Sequence, residues 1–271
     1  MLTEKILKRP IVSFIILSNI IFWPLFSLVG AAKLLGFPSI VFDIMLCISS
    51  WSSTFAFAIL FKRIYKGQNF VKYVKDKFKD KIKPSIIISA VIIEVMIFIG
   101  LIFIVKAKSN EGCSIFSVTS FGMFVYLFFK NLLAGPTGEE LGWRGFALNE
   151  LQKKYSPLKS ALILGLWWGL WHIPIMLTVG LTGINLIKYI ACFMTSIISL
   201  SIIMTVFYNL NKNLLVTIII HQLSNFLIGI INVKLTDIIM YYALLYFSAA
   251  VILIAVKHKR VFKEEYFGRY F

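Results

Sequence analysis

The 271-residue sequence is poor in charge, poorer still in acid, and nearly without cysteine. Only 15% of its residues are charged and 59% are apolar, against roughly 25% and 45–50% in an average soluble domain. One core of this size cannot hide that excess, because a chain of roughly 300 residues still leaves about a quarter of its surface in solvent. Lipid is therefore the main solvent, and a soluble enzyme, a disordered chain and a fibrous repeat are excluded. Acid is the scarce charge: 12 Asp and Glu stand against 28 Lys and Arg, a net +16. In a soluble protein that balance points to nucleic acid. In a membrane protein it belongs to loops facing an anionic leaflet, and no nucleic-acid partner is expected. The three cysteines, Cys47, Cys113 and Cys192, are scattered without CxxC spacing, which argues against a disulfide framework or a thiolate metal site.

What is abundant is long apolar runs. Crossing about 30 Å of hydrocarbon takes roughly 20 such residues, and candidates fall near 11–30, 40–61, 84–105, 116–134, 160–179, 184–207, 213–232 and 237–256. The expected fold is all-α and polytopic, about eight transmembrane helices in a single integral membrane domain over 1–271. The first run, after Lys5, Lys8 and Arg9, ends in a signal-peptide-like Gly30-Ala31-Ala32. It is longer than the usual h-region of roughly 7–15 residues, and a retained first helix is expected.

Basic residues orient the bundle. With the N-terminus inside, 22 of the Lys and Arg fall in cytoplasmic segments, while Lys33, Lys106, Lys108, Lys188 and Lys234 lie outside. This predicts a multi-pass protein of the cell membrane with both termini cytoplasmic. In the 66–83 segment Phe70, Val74, Phe78 and Ile82 recur every four residues among Lys72, Lys75, Lys77, Lys79 and Lys81. The pattern predicts an interfacial helix, apolar stripe down and lysines toward anionic lipid.

Ionisable residues inside spans cost roughly 2.5–3.5 kcal/mol each at mid-membrane, so those present demand a reason. Three clusters stand out: Gly138-Glu139-Glu140-Leu141-Gly142-Trp143-Arg144, Trp167-Trp168-Gly169-Leu170-Trp171-His172, and His221-Gln222-Leu223-Ser224-Asn225. Counted at 1.5 Å per residue from Ser160 and Asn213, His172 lies about 18 Å and His221 about 12 Å into parallel helices, a rough depth match. Glu140 and Arg144 can pair at i,i+4, and Glu139 then points about 100° away, free to face a cavity. Trp168 shares a face with His172, and His221 with Asn225.

A carboxylate in a low-dielectric cavity can take a proton from water near neutral pH. One imidazole can share that water and protonate a leaving amine; the second, with an amide, can donate to a developing oxyanion. This set describes peptide hydrolysis by activated water, with no GxSxG or HExxH pattern in the chain. Two histidines and a glutamate are also a catalytic zinc ligand set, so no cofactor is required but a divalent metal stays open.

The ordered EExxxR, aromatic-xxx-His and HxxxN motifs resemble the CAAX-protease and bacteriocin-processing (Abi) family of intramembrane proteases. The resemblance spans Glu139 to Asn225 and implies a catalytic core over 115–232, acting on a peptide or protein substrate that reaches a membrane cavity. It implies that Glu139 activates water with help from His172, that His221 and Asn225 form the oxyanion hole, and that Glu140 and Arg144 brace the helix. Trp168 stands where many members carry Phe. Bacterial relatives are associated with bacteriocin immunity, peptide maturation and surface-protein functions, and the resemblance does not choose among them.

Two other classes compete. A non-catalytic immunity or scaffold protein would use the same cavity for binding. A proton-coupled transporter would place ionisable groups on both sides of the midplane, whereas here they are biased to one side. Outside the motifs, Glu94 is either a relay residue or a helix-bonding group, Asp43 snorkels, Trp167 packs, and His258 is solvated among Lys257, Lys259 and Arg260.

Overall fold

A computed structural model describes residues 9–108 and 114–257. Cys113, Lys5, Lys8, His258, Lys259, Arg260, Lys263 and Arg269 lie outside the described residues. Among these residues the secondary structure is helical apart from an isolated bridge between Phe116 and Ile231. The helices are α1 (Pro10–Leu34), α2 (Ser39–Ser50), α3 (Ser52–Ile64), α4 (Phe70–Asp76), α5 (Pro84–Lys108), α6 (Phe121–Leu133) and α7 (Pro136–Glu140). A π-helical segment, Leu141–Leu148, continues α7 into α8 (Asn149–Gln152). Then come α9 (Pro157–Trp171), α10 (Ile173–Leu177), α11 (Gly183–Asn211), α12 (Leu214–Gly229) and α13 (Leu235–Lys257).

All eight apolar runs fold as helix, and the protein is an all-α, multi-pass membrane protein. Five stretches are long and apolar enough to cross a bilayer: α1, α2 with α3 across a turn at Trp51, α5, α11 and α13. The other three runs fall short, and they flank or carry the motifs. Of these, α6 has 13 residues and α12 has 16. Helix α9 stops at Trp171 because Pro174 has no N–H for the Leu170 carbonyl, and His172 N–H turns back to Gly169 O at 3.0 Å. The freed Trp171 carbonyl accepts from Trp23 Nε1 of α1 at 3.3 Å, and Phe22 stacks on the Trp171 ring at 3.8 Å. Trp167, expected to pack, is instead 40% exposed on the bundle's outer face. One residue of helix separates it from buried Trp168, and that rotation of about 100° carries it out of the core.

Small residues let the helices close on one another, as membrane interfaces require. A Cβ on Gly142 would lie 2.7 Å from the Ser53 backbone, and one on Gly165 would lie 2.9 Å from Ile198 Cα. Ser201 Oγ adds a hydrogen bond from α11 to Ala161 O of α9 at 2.9 Å. These approaches bring α3, α9 and α12 around the π segment, whose residues Gly142 to Leu148 are all buried.

The 66–83 segment is helical only over Phe70–Asp76. Phe70 and Tyr73, half-buried, pack against Phe57, Phe61 and Tyr65. Lys77 O accepts from Leu214 N–H at 2.8 Å, and Asn213 Nδ2 donates to Phe78 O and Asp80 O. The segment is thereby stapled over the turn between α11 and α12, while Lys72, Lys75, Lys79 and Lys81 remain exposed. Asp43 does not snorkel freely: it pairs with Lys130 Nζ at 2.7 Å and accepts from the Tyr126 hydroxyl.

Candidate active site

The first motif lies where an α-helix gives way to a π-helix. That change breaks the regular i→i+4 ladder and leaves carbonyls needing donors. Side chains from elsewhere supply them. Ser53 Oγ donates to Glu139 O at 3.1 Å and Thr54 Oγ1 to Gly138 O at 2.7 Å. At the other end Asn149 Nδ2 donates to Arg144 O and Gly145 O, and Tyr73 OH donates to Gly145 O at 2.8 Å. Burial pushes the Tyr73 phenol above its ordinary range, so it stays a donor.

Trp168 is the hub on which the three motifs meet. Its Nε1 donates to Glu139 Oε2 at 2.7 Å, and its indole face carries the Arg144 guanidinium at 3.9 Å. Its ring stands edge-on to His221 at 5.1 Å and to His172 at 5.7 Å between centroids. Its backbone carbonyl fixes the His172 ring through Nδ1 at 2.7 Å. A carbonyl can only accept, so Nδ1 carries the proton and Nε2 of neutral His172 presents a lone pair.

Glu140 serves a different task from Glu139. Its Oε1 accepts from Arg144 Nη1 and meets His221 Nδ1, both at 2.8 Å. All three are buried, Glu140 and Arg144 completely. The i,i+4 pair expected of an α-helix thus forms although Arg144 sits in the π segment, and it reaches across to α12.

Glu139 is 4% exposed, and its Oε1 has no hydrogen bond among the described residues. Asn225, half-buried, has none either. Both lie against Gly135, where a Cβ would be 3.0 Å from Asn225 Nδ2, 3.4 Å from Asn131 O and 3.8 Å from Glu139 Oε1. Glycine at 135 lets the two groups approach the backbone this closely, since a Cβ there would crowd the Asn225 amide. All seven residues singled out from the motifs therefore belong to one constellation. Sequence reading missed Gly135, Tyr73 and the Ser53/Thr54 pair. The run of hydroxyls through Ser49, Ser50, Ser52, Ser53 and Thr54 in an apolar span was the available signal, since small polar residues mark membrane helix interfaces.

Among the described residues no three His, Cys, Asp or Glu side chains group as a metal site. The imidazole nitrogens that are bonded go to Glu140 and to a backbone carbonyl.

Trp168→Phe keeps a ring and removes the indole N–H. Loss of one hydrogen bond to a charged acceptor costs about 1.5–3 kcal/mol, so any activity that depends on Glu139 is expected to fall about tenfold or more in the variant while the fold survives. Steady-state kinetics beside thermal unfolding in detergent measure the two effects separately.

Residues 121–227, from the start of α6 to near the end of α12, match the family model described as Type II CAAX prenyl endopeptidase Rce1-like. A stretch of 107 residues is 38% identical to CAAX prenyl protease 2 of Methanococcus maripaludis. The alignment covers 38% of this chain and 39% of that relative, so the chain matches about two fifths of the curated protein's length. The whole constellation from Glu139 to Asn225 lies inside the matched residues.

Proposed function

We propose that the chain is an intramembrane endopeptidase of the CAAX prenyl protease family, whose model residues 121–227 match, and that it hydrolyses a peptide bond with water activated by Glu139. The observation that carries this reading is the approach of Glu139 Oε1, without a hydrogen bond among the described residues, and of the Asn225 amide to the same backbone position, Gly135. Glu139 Oε1 takes a proton from water as the oxygen attacks the scissile carbonyl. His172 Nε2, which presents a lone pair, then takes that proton from Glu139 and passes it to the leaving amine as the C–N bond breaks, so that Glu139 is again a carboxylate. Asn225 Nδ2 and His221 Nε2 donate to the oxyanion. His221 does so when both its nitrogens are protonated, and in that form two carboxylates and two cations, Arg144 and His221, balance. Glu140 positions His221 and neutralises Arg144. No step is routed through a metal.

The core acting in this way is 115–232, within one membrane domain that has both termini in the cytoplasm and a peptide or protein substrate reaching the site from the bilayer. The exposed Lys72, Lys75, Lys79 and Lys81 face anionic lipid, held there by the stapled α4 segment. The name of the relative suggests the first substrate to try, a peptide with a prenylated cysteine near its C-terminus. Purified protein in detergent is expected to release the residues beyond that cysteine, and to do so equally in EDTA. No cleavage of any peptide offered, with the fold intact, favours the immunity or scaffold reading; loss of cleavage in EDTA, restored by zinc, replaces the metal-free mechanism.

A further inference from the structure

Glu94 lies near the middle of α5, 1% exposed, in a span with no acid or base near it in sequence. Among the described residues it has no cationic partner; its Oε2 accepts from Tyr246 OH of α13 at 2.5 Å. One turn away, Tyr242 OH shares a hydrogen bond with Ser224 Oγ of α12 at 2.9 Å. The two tyrosine rings lie against each other, centroids 4.7 Å apart. Among the described residues Glu94 Oε1 is buried without a partner, and Glu94, Ser224, Tyr242 and Tyr246 all line a small cavity of about 10 Å³. That is room for about one water molecule. The rest of its wall is Ile97, Phe98, Leu101, Leu227 and Ile228.

A polar cluster in this position does not serve stability, since burying a carboxylate is costly and an apolar replacement is often neutral or stabilising. What it supplies is register. Aliphatic helix faces slide and rotate against one another at little cost, whereas a hydroxyl with one partner in hydrocarbon has one good position. Helix α12 is the element whose rotation matters. At about 100° per residue, Ser224 lies about 60° to one side of His221, and Gln222 about 100° to the other. Gln222 Nε2 donates to Phe128 O of α6 at 2.8 Å. The face that carries His221 and Asn225 is thus flanked by two polar ties, one to α6 and one through Ser224 and the tyrosines to α13 and Glu94.

We infer that Glu94, Tyr246, Tyr242 and Ser224, with one water in their cavity, form a pin that sets the rotation of α12, making Glu94 a positioning residue for His221 and Asn225. The inference rests on the hydrolytic reading of the site above, but one arm of its test does not. In the full chain in detergent, Glu94→Leu is expected to lower kcat about 10–100-fold, the scale of a misplacement of about 1 Å. KM and the unfolding temperature should hold or the latter rise. Glu94→Gln, which still accepts from Tyr246, should restore kcat to within about twofold of wild type. Tyr242→Phe breaks the tie to Ser224 without an ionisable group and should reproduce the loss. Wild-type kcat in both Glu94→Leu and Tyr242→Phe overturns the pin, as does a loss that only follows a fall in unfolding temperature. Equal losses in Glu94→Gln and Glu94→Leu overturn it in favour of a charge role. Independently of cleavage, ¹⁵N-histidine spectra should show one His221 ring environment in wild type and Glu94→Gln, and several in Glu94→Leu. An unchanged His221 signal in Glu94→Leu overturns the pin even if the protein cleaves nothing, whereas cleavage retained by Glu139→Gln overturns only the hydrolytic mechanism.

Discussion

Glu139→Gln is expected to lower kcat by about 10²–10⁴-fold, the range that a positioned general base contributes, with the fold intact. The amide oxygen can still accept from Trp168 Nε1, which lies 2.7 Å from Oε2, so the hub keeps its geometry. What the amide cannot do is take a proton from water. Loss therefore falls on kcat more than on KM. Initial rates of peptide release by wild type and variant, at equal thermal stability, decide the matter. Cleavage at the wild-type rate would falsify the mechanism assigned to Glu139.

Glu140→Leu should damage the protein itself. Arg144 is fully buried, and its only hydrogen-bond partner among the described residues is Glu140 Oε1; its Nε and Nη2 have none. Removing the carboxylate leaves a buried guanidinium uncompensated, a change that costs about 3–5 kcal/mol when one partner of a buried pair is deleted. The face of Trp168 at 3.9 Å offers it only partial relief. His221 Nδ1 loses its acceptor in the same step, so cleavage falls even in the fraction that folds. Glu140→Leu combined with Arg144→Leu removes both charges and should recover much of the stability but not the activity, because His221 stays unheld. Urea or thermal unfolding in detergent reads the first effect and peptide release the second. If the double variant is no more stable than Glu140→Leu alone, the pair is not coupled as the geometry requires.

Much of this protein is legible along the chain because lipid simplifies the code. Where so little is charged, each ionisable residue in an apolar run is visible, and Glu139, Glu140, Arg144, His172 and His221 stand out on that ground, with the Asn225 amide one turn beyond His221. Their pairings at i,i+4 follow from helix geometry alone. Trp168 is one aromatic among three in five residues, set apart along the chain only by its i,i+4 spacing to His172, while its contacts with Glu139, Arg144 and His221 come from distant elements, as does the stacking of Trp171 on Phe22. Glu94 was visible as an isolated acid, but its partners lie on α12 and α13, more than a hundred residues away.

The sequence by itself determined the solvent, the helical class, the position of each apolar run and the order of the motifs. These depend on hydropathy and on a 3.6-residue period, both carried by neighbours in the chain. Only the tertiary structure decided that Leu141–Leu148 is π-helical, that α9 breaks at His172, and that Trp168 joins Glu139, Arg144 and both histidines. A π turn is stable here because Ser53, Thr54, Tyr73 and Asn149 satisfy carbonyls around it, and of these only Asn149 is near in sequence. Long-range donors chose among backbone forms that local preference leaves close in energy, and that choice sets where the charged groups of the site point.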